Sequence, residues 1–214
     1  TIHDLTLSGS YKWLQFMISY QREKDAILYI TEQYEKNPAI TTVTHRNFNR
    51  IDNFSAFLTA SPAVGSWHPQ LTVGVQKQWA KIEHNGETLQ MDTPLFFCTL
   101  NNGIQLPYHW TLSTDINFQS KGDYQNIYMY QNVFMMNATL TKSFLNEHLS
   151  IHLQGIDLTH GRKDGNRIYN KHMNMDVANV SDSRELRFTI RYKFNTAKSK
   201  YKGKGAAAEE IKRL

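Results

Sequence analysis

The sequence lacks the features that mark several protein classes. It has no run of eighteen apolar residues, which excludes a transmembrane helix. Its single cysteine, Cys98, excludes an internal disulfide, and the alternating pattern around it predicts a small apolar side chain rather than a reactive thiol. Five prolines and eleven glycines among 214 residues are too few for a disordered or low-complexity chain.

Net charge is also low over most of the chain. The total excess is +5, but residues 195–214 contain six basic and two acidic residues, so four of these charges belong to a basic C-terminal tail. The other 194 residues carry 18 basic and 17 acidic groups. A nearly neutral body gives little support for nucleic-acid binding, and a short lysine-rich tail is typical of a solvated terminus.

The common catalytic motifs are absent as well. The chain has no Gly-x-Ser-x-Gly elbow, no phosphate-binding loop and no His-Glu-x-x-His. His148 and His152 are four residues apart, which on a strand separates them by about 13 Å, so we expect polar surface residues rather than ligands of one metal. Asp115 and Asp157 are isolated carboxylates, and Asp157 is expected to organise a strand end. We therefore expect no enzyme, no metal site and no cofactor.

Long alternating strands are what the sequence does contain. Trp110–Gln119 and Glu185–Phe194 place apolar and polar side chains in strict alternation, which is the period of a strand with one wet face. Strands average about five or six residues, whereas one that crosses a bilayer needs about 9–11. The pattern predicts an all-β, antiparallel transmembrane β-barrel. Its nine predicted strands are Ile2–Ser8, about 14–30, about 40–60, Gln70–Ile82, about 91–105, Trp110–Gln119, about 128–142, His148–Leu158 and Glu185–Phe194.

The predicted connections alternate between short and long, as they do in membrane barrels, where short turns lie at one end and long loops at the other. Asn85-Gly86 is a hairpin-turn signal among the longer connections. Aromatic residues cluster near the short turns, and barrels carry such residues at the membrane boundary. The predicted membrane-interface residues are Trp13, Trp67, Tyr108, Trp110, Phe144 and Phe194.

The longest predicted loop, Gly161–Arg184, is the candidate ligand site, because binding concentrates in large loops on rigid scaffolds. Its basic and aromatic side chains suit an anionic or glycan ligand. The other interpretation is a solvated surface loop without a ligand. The candidate residues are Arg162, Lys163, Arg167, Tyr169, Lys171 and His172.

Several ordered motifs resemble a known family. They are Phe118-Gln119-Ser120, Thr141-Lys142-Ser143-Phe144-Leu145, Gly155-Ile156-Asp157-Leu158, Ser183-Arg184 followed by the strand 186–194, and upstream the segment 20–27. In order and spacing they resemble the outer-membrane β-barrel family of Bacteroidota, which is related to the barrels of TonB-dependent receptors.

The resemblance implies a barrel of about twenty-two strands, of which this chain would supply the C-terminal part. We then expect about nine partial-barrel strands in residues 1–194, a tail in 195–214, and an upstream export signal. The implied partners are outer-membrane lipid, an upstream plug domain and an energy-transducing inner-membrane complex. The nutrient ligand could be a small molecule, a peptide or a glycan. No cofactor is expected, because the inner membrane would supply the energy.

Two alternatives follow from the residues alone. One is a complete small barrel with a structural or adhesin-like role. The other is a soluble β-sandwich or lipocalin-like binding module, because alternation does not reveal which face points inward. Strand length and the aromatic residues near the turns favour a membrane barrel over the soluble fold.

Overall fold

The structure is a computed structural model that describes residues 1–34, 36–170, 173–180 and 182–194. These residues form antiparallel strands joined by turns, and they contain no helix long and apolar enough to cross a membrane. The strands are β1 (Ile2–Tyr11), β2 (Leu14–Tyr34), β3 (Asn37–Ala60), β4 (Trp67–His84), β5 (Glu87–Met91), β6 (Leu95–Leu106), β7 (Trp110–Gln119), β8 (Gly122–Tyr124), β9 (Ile127–Met129), β10 (Val133–Phe144), β11 (Leu149–Ile156), β12 (Lys163–Tyr169), β13 (Asn174–Val180) and β14 (Glu185–Tyr192).

Nine strands form one antiparallel sheet in the order β1-β2-β3-β4-β6-β7-β10-β11-β14, and the short β5 pairs with β4. Each of the nine corresponds to one strand predicted from the sequence, which confirms the all-β antiparallel prediction. Within the described residues the sheet is not closed into a ring, so β1 and β14 are its two edges.

The strand bounds differ from the prediction in two ways. β2 and β3 are longer than expected and form a hairpin that extends well beyond the rest of the sheet. Two predicted strands are each divided. Pro94, which cannot donate a ladder hydrogen bond, separates β5 from β6. Between β9 and β10 the chain leaves the sheet, and the Asn132 side chain instead accepts the Lys121 N–H at 2.8 Å.

Register places most of the apolar side chains of the nine strands on one face, which we call the apolar face. The opposite, polar face carries amides and hydroxyls that bond across strands, such as Thr59 with Thr72 at 2.9 Å. Cys98 lies on the apolar face, as its alternating pattern predicts. One row of this face runs across six strands through Phe16, Leu58, Val73, Cys98, Phe118 and Phe134.

The two ends of the sheet are built differently. At the turn end, short connections join β1 to β2, β3 to β4, β6 to β7 and β10 to β11, as predicted. At the extended end, the chain forms additional hairpins before it returns to the sheet. Asn85 and Gly86, with φ of 52° and 80°, make the tight turn between β4 and β5, which confirms the hairpin signal.

Segment 161–184, which the sequence predicted to be a loop, is mostly a hairpin of β12 and β13. The prediction was wrong because the partner of β12 is β9, about forty residues earlier in the chain, and local alternation does not reveal such pairing. With β8 these strands make a four-stranded sheet of order β13-β12-β9-β8, here called the covering sheet.

The covering sheet packs on the extended end of the long sheet. Tyr128 of β9 and Tyr169 of β12 lie against a buried apolar cluster that β2, β3, β4 and β5 supply. This cluster is the main core of the described protein, because the apolar face elsewhere is left exposed. Its buried members are Ala26, Leu28, Ile51, Ala80, Ile82 and Met91.

A change of face in β2 and β3 makes this packing possible. Up to Lys24, the even-numbered residues of β2 lie on the apolar face, whereas Ala26 and Leu28 point into the core. Asp25 sits at the change with φ of 56°, a left-handed conformation that Asp adopts more readily than most residues. Phe48 of β3 also packs on the core. Just beyond this level the inward side of the hairpin therefore presents the apolar side chains of Ala26, Leu28 and Phe48 to the core.

Asp157 holds both ends of the β12–β13 hairpin. Its carboxylate is 1% exposed and accepts the N–H groups of Gly161 at 2.8 Å and Arg162 at 3.2 Å, together with the Ser183 hydroxyl. Burial alone would raise the pKa of Asp157, but the hydrogen bonds from Ser183, Gly161 and Arg162 outweigh it and lower the pKa. The prediction that Asp157 organises a strand end is confirmed.

We expect the carboxylate of Asp157 to be required for a stable β12–β13 hairpin. Asp157→Asn should destabilise the hairpin by about 2 kcal/mol, because an amide nitrogen would face donors that now bond to a carboxylate oxygen. Limited proteolysis of the full-length protein in detergent should show faster cleavage in β12–β13. Asp115→Asn, a change at an exposed carboxylate of β7, is the matched control and should leave cleavage unchanged.

The wild-type protein and Asp157→Asn can also be compared as a function of pH. Because folding lowers the pKa of Asp157, the anchor stabilises the hairpin above the ordinary carboxyl pKa of about 4 and is lost as pH falls through the lowered value. An acid protease should therefore cleave the wild-type hairpin increasingly over that range, and the acid-dependent increase should be absent in Asp157→Asn. Identical acid profiles would show that the carboxylate does not hold the hairpin.

Candidate functional site

Polar side chains line an open pocket where the covering sheet meets the polar face of the long sheet. We call it the mouth pocket, and its volume is about 270 Å³. β1 to β4 supply its wall, and the β8–β9 turn supplies its rim. The polar lining residues are Asp4, Ser19, Gln21, Glu23, Asn53, Ser55, Gln76, Gln78, Tyr124 and Gln125.

The rim is fixed by one side chain from the wall. Gln78, which is 3% exposed, donates its Nε2–H to the carbonyl oxygen of Gln125 at 2.8 Å and accepts the Gln125 N–H at 2.6 Å. An amide is suited to this pair of bonds because it carries both a donor and an acceptor. The β8–β9 turn is thus held at a defined height above the polar face.

The β1–β2 side of the pocket is also ordered by hydrogen bonds. The Thr6 hydroxyl lies 2.8 Å from Asp4 Oδ1 and 3.1 Å from Ser19 Oγ. Gln21 and Asn53 are direct cross-strand neighbours, so their amides lie side by side on the wall. Parallel amides and hydroxyls present many donors and acceptors to a polar ligand.

The pocket is acidic in balance. Its described lining includes the carboxylates of Asp4 and Glu23 and no lysine, arginine or histidine. The arrangement therefore suits a neutral ligand rich in hydroxyl or amide groups, or a cationic one, better than an anion. No group of three His, Cys, Asp or Glu in the described part of the chain is placed to hold a metal ion.

The structure separates the ligand residues predicted in segment 161–184. Arg162 is exposed, Arg167 makes a bidentate ion pair with Asp176 at 2.7 and 2.9 Å, and Tyr169 packs on the buried cluster and on His84. The ion pair lowers the pKa of Asp176 and occupies the Arg167 fork. The side chain of Lys163 and the whole of Lys171 and His172, like the tail 195–214, lie outside the described residues.

Sequence reasoning missed the mouth pocket itself. Gln78 and Gln125 are 47 residues apart, and neither belongs to a motif. The available signal was the set of glutamines on one face of the fourth predicted strand, of which Gln76 and Gln78 line the pocket in the structure. That set indicated a polar face but not which part of it would be enclosed.

The predicted interface aromatics all lie at the turn end and are exposed. Trp13 is in the β1–β2 turn, and Trp110 opens β7 on the apolar face opposite Lys142. The Lys142 ammonium lies 5.1 Å from the Trp110 ring and 5.4 Å from the Phe144 ring, and it donates to the Tyr108 carbonyl oxygen. The remaining members are Trp67 at the start of β4 and Phe194 after β14.

An antiparallel sheet with one exposed apolar face, a polar opposite face and aromatic residues at its short turns is the wall of a membrane β-barrel. The chain belongs to the outer membrane protein β-barrel family, whose model matches residues 1–192. The protein is therefore located in the bacterial outer membrane, with the apolar face toward lipid. None of the curated proteins compared with the chain matches it.

Proposed function

We propose that this chain is the C-terminal barrel part of a TonB-dependent receptor of the Bacteroidota type, and that the receptor takes up a polar nutrient bound at the mouth pocket. The amides, hydroxyls and carboxylates that line the mouth pocket at the extended end carry this proposal. The motif resemblance described above supports the receptor class. In this proposal an upstream plug domain lies against the polar face, and an inner-membrane complex supplies energy.

The chemistry of the pocket narrows the ligand class. Gln21, Asn53 and Gln76 present neutral amides, Tyr124 adds an aromatic ring with a hydroxyl, and the charge is negative. Sugars match this lining because their hydroxyls both donate and accept, and their apolar ring faces stack on aromatic side chains. Segment 161–184 suggested an anionic or glycan ligand, and of these we propose a neutral glycan.

Binding should depend on the amides of the wall. Gln21→Ala combined with Asn53→Ala should weaken ligand binding about thirtyfold, because each of the two lost hydrogen bonds contributes about 1 kcal/mol. Gln15→Ala, on the same face of β2 but near the turn end, is the control and should bind normally. The measurement is calorimetric titration of the full-length protein with neutral and with sulfated oligosaccharides of equal length. Preference for the sulfated series would contradict the pocket assignment.

The length of the β2–β3 hairpin favours a second candidate, an adhesin-like surface protein. The two functions differ in their need for energy. Uptake of the labelled oligosaccharide into cells should stop when the energy-transducing complex is deleted, whereas surface binding should persist. Accumulation that is independent of this complex would favour the adhesin-like role.

A further inference from the structure

Five cations gather on the apolar face at the extended end, just beyond the last apolar row. We call them the basic cluster, and one carboxylate, Asp52, lies among them. Within the cluster five positive charges stand against the one negative charge of Asp52, and the next carboxylate on this face of β4, Glu83, lies two residues beyond Lys81. The members are Arg22, Lys24, Arg50, Lys77 and Lys81.

Asp52 orients Arg22 and Arg50 but uses only some of their N–H donors. Its two oxygens accept Arg22 Nε–H at 2.9 Å and Arg50 Nε–H at 2.6 Å, and the carboxylate is 6% exposed. Each guanidinium carries five N–H donors in a planar fork. Both forks are therefore held in place with donors still able to bind a second anion, and phosphate is an anion that such forks recognise well.

Aromatic side chains place the basic cluster at the membrane boundary. Trp79 stands opposite Asp52, and the Lys77 ammonium lies 5.2 Å from its ring. The Nη2–H of Arg22 donates a hydrogen bond to the Tyr20 hydroxyl oxygen at 2.9 Å. Tryptophan and tyrosine prefer the level of the lipid headgroups, because their rings are apolar and their tips are polar. The cluster thus lies where lipid phosphates lie.

An apolar groove leads away from the basic cluster toward the middle of the apolar face. Its volume is about 470 Å³ and its surface is almost wholly apolar. The small side chain of Ala56, between Ile18 and Val75, forms its floor. Ala56 is four residues from Asp52 along β3, a distance of about 13 Å. Its walls are Ile18, Leu58, Val73, Val75 and Phe96.

We propose that this surface binds one phosphate-bearing lipid of the surrounding leaflet, with the phosphate on the basic cluster and an acyl chain in the groove. Charge complementarity selects an anionic headgroup, and the groove begins at the membrane depth where its acyl chain starts. The site faces lipid rather than the mouth, so it depends on the membrane location of the chain and not on the proposed uptake of a glycan.

The test uses full-length protein that has been stripped of lipid in an uncharged detergent. Native mass spectrometry would follow titration with phosphatidylglycerol, with uncharged diacylglycerol and with inorganic phosphate. We expect one phosphatidylglycerol per protein, bound at least about tenfold more tightly than diacylglycerol. Equal binding of the two lipids would overturn the proposal. Displacement of the lipid by equimolar inorganic phosphate would also overturn it, because the groove would then contribute nothing.

Two variants separate the headgroup from the chain. Lys24→Gln, Lys77→Gln and Lys81→Gln together should weaken phosphatidylglycerol binding at least about tenfold while the Asp52 ion pairs remain intact. Ala56→Phe fills the groove and should weaken lipid binding without affecting the cations. Arg191→Gln, which removes a charge from the polar face of β14, is the control. Loss of binding in the control as well, or in none of the variants, would contradict the site.

Discussion

Ile116→Arg is expected to prevent stable insertion of the sheet into the membrane. Ile116 lies in the middle of the apolar face, between Leu100 of β6 and Met136 of β10. An arginine on the lipid-facing side of a barrel costs about 2–4 kcal/mol at the membrane midplane, where its charge is far from water. The measurement is the amount of folded full-length protein in the outer membrane, assessed by heat-modifiable migration in gel electrophoresis.

The control for this change is Ser113→Arg. Ser113 lies on the same strand but on the polar face, opposite Gly103, so an arginine there has access to water. We expect normal amounts of folded protein for Ser113→Arg and a severe loss for Ile116→Arg. If both variants inserted equally well, the assignment of the apolar face to lipid would be wrong.

Met91→Ala is expected to loosen the covering sheet while the membrane strands stay folded. Met91 is 2% exposed and belongs to the cluster on which Tyr128 and Tyr169 pack. Truncation of a buried methionine to alanine costs about 2–5 kcal/mol, through lost burial and the cavity left behind. Protease cleavage of β12–β13 in intact cells should increase, and binding at the mouth pocket should weaken because the β8–β9 rim is carried by the same sheet.

Met17→Ala provides the comparison for this variant. Met17 has the same side chain but is 41% exposed on the polar face of β2, so its truncation removes little buried area. Equal protease sensitivity of the two variants would show that the buried cluster does not hold the covering sheet. Loss of folded protein from the membrane in Met91→Ala would show that the cluster also supports the barrel wall.

The strands that cross the membrane could be predicted because one face of each strand meets lipid and the other meets water. Apolar and polar side chains therefore alternate along the strand. β7 coincides with its predicted range, Trp110–Gln119, and the Asn85-Gly86 turn falls where its residue types require. The short turns could also be located, since aromatic residues and breaks in alternation mark them. In this part of the chain the local sequence is sufficient to predict the strands and the short turns.

The extended end was harder to predict because its structure depends on contacts between distant segments. β12 contains Gly165 and Asn166 and shows no clean alternation, yet it pairs with β9 and β13. The rim of the mouth pocket is fixed by the contact of Gln78 with Gln125, 47 residues away. The change of face in β2 coincides with the positive φ of Asp25. Periodicity carries no information on any of these three features.

The two open edges of the long sheet have a consequence for biogenesis. β1 and β14 each present a row of backbone N–H and C=O groups toward a side where the described sheet offers no partner. Hydrocarbon provides no hydrogen bonds, and each unsatisfied group there costs several kcal/mol. The wall therefore cannot enter lipid strand by strand as a stable intermediate. Both edge strands must therefore form hydrogen bonds, with each other or with further strands, as the sheet leaves water. Membrane entry and ring closure then become a single cooperative event.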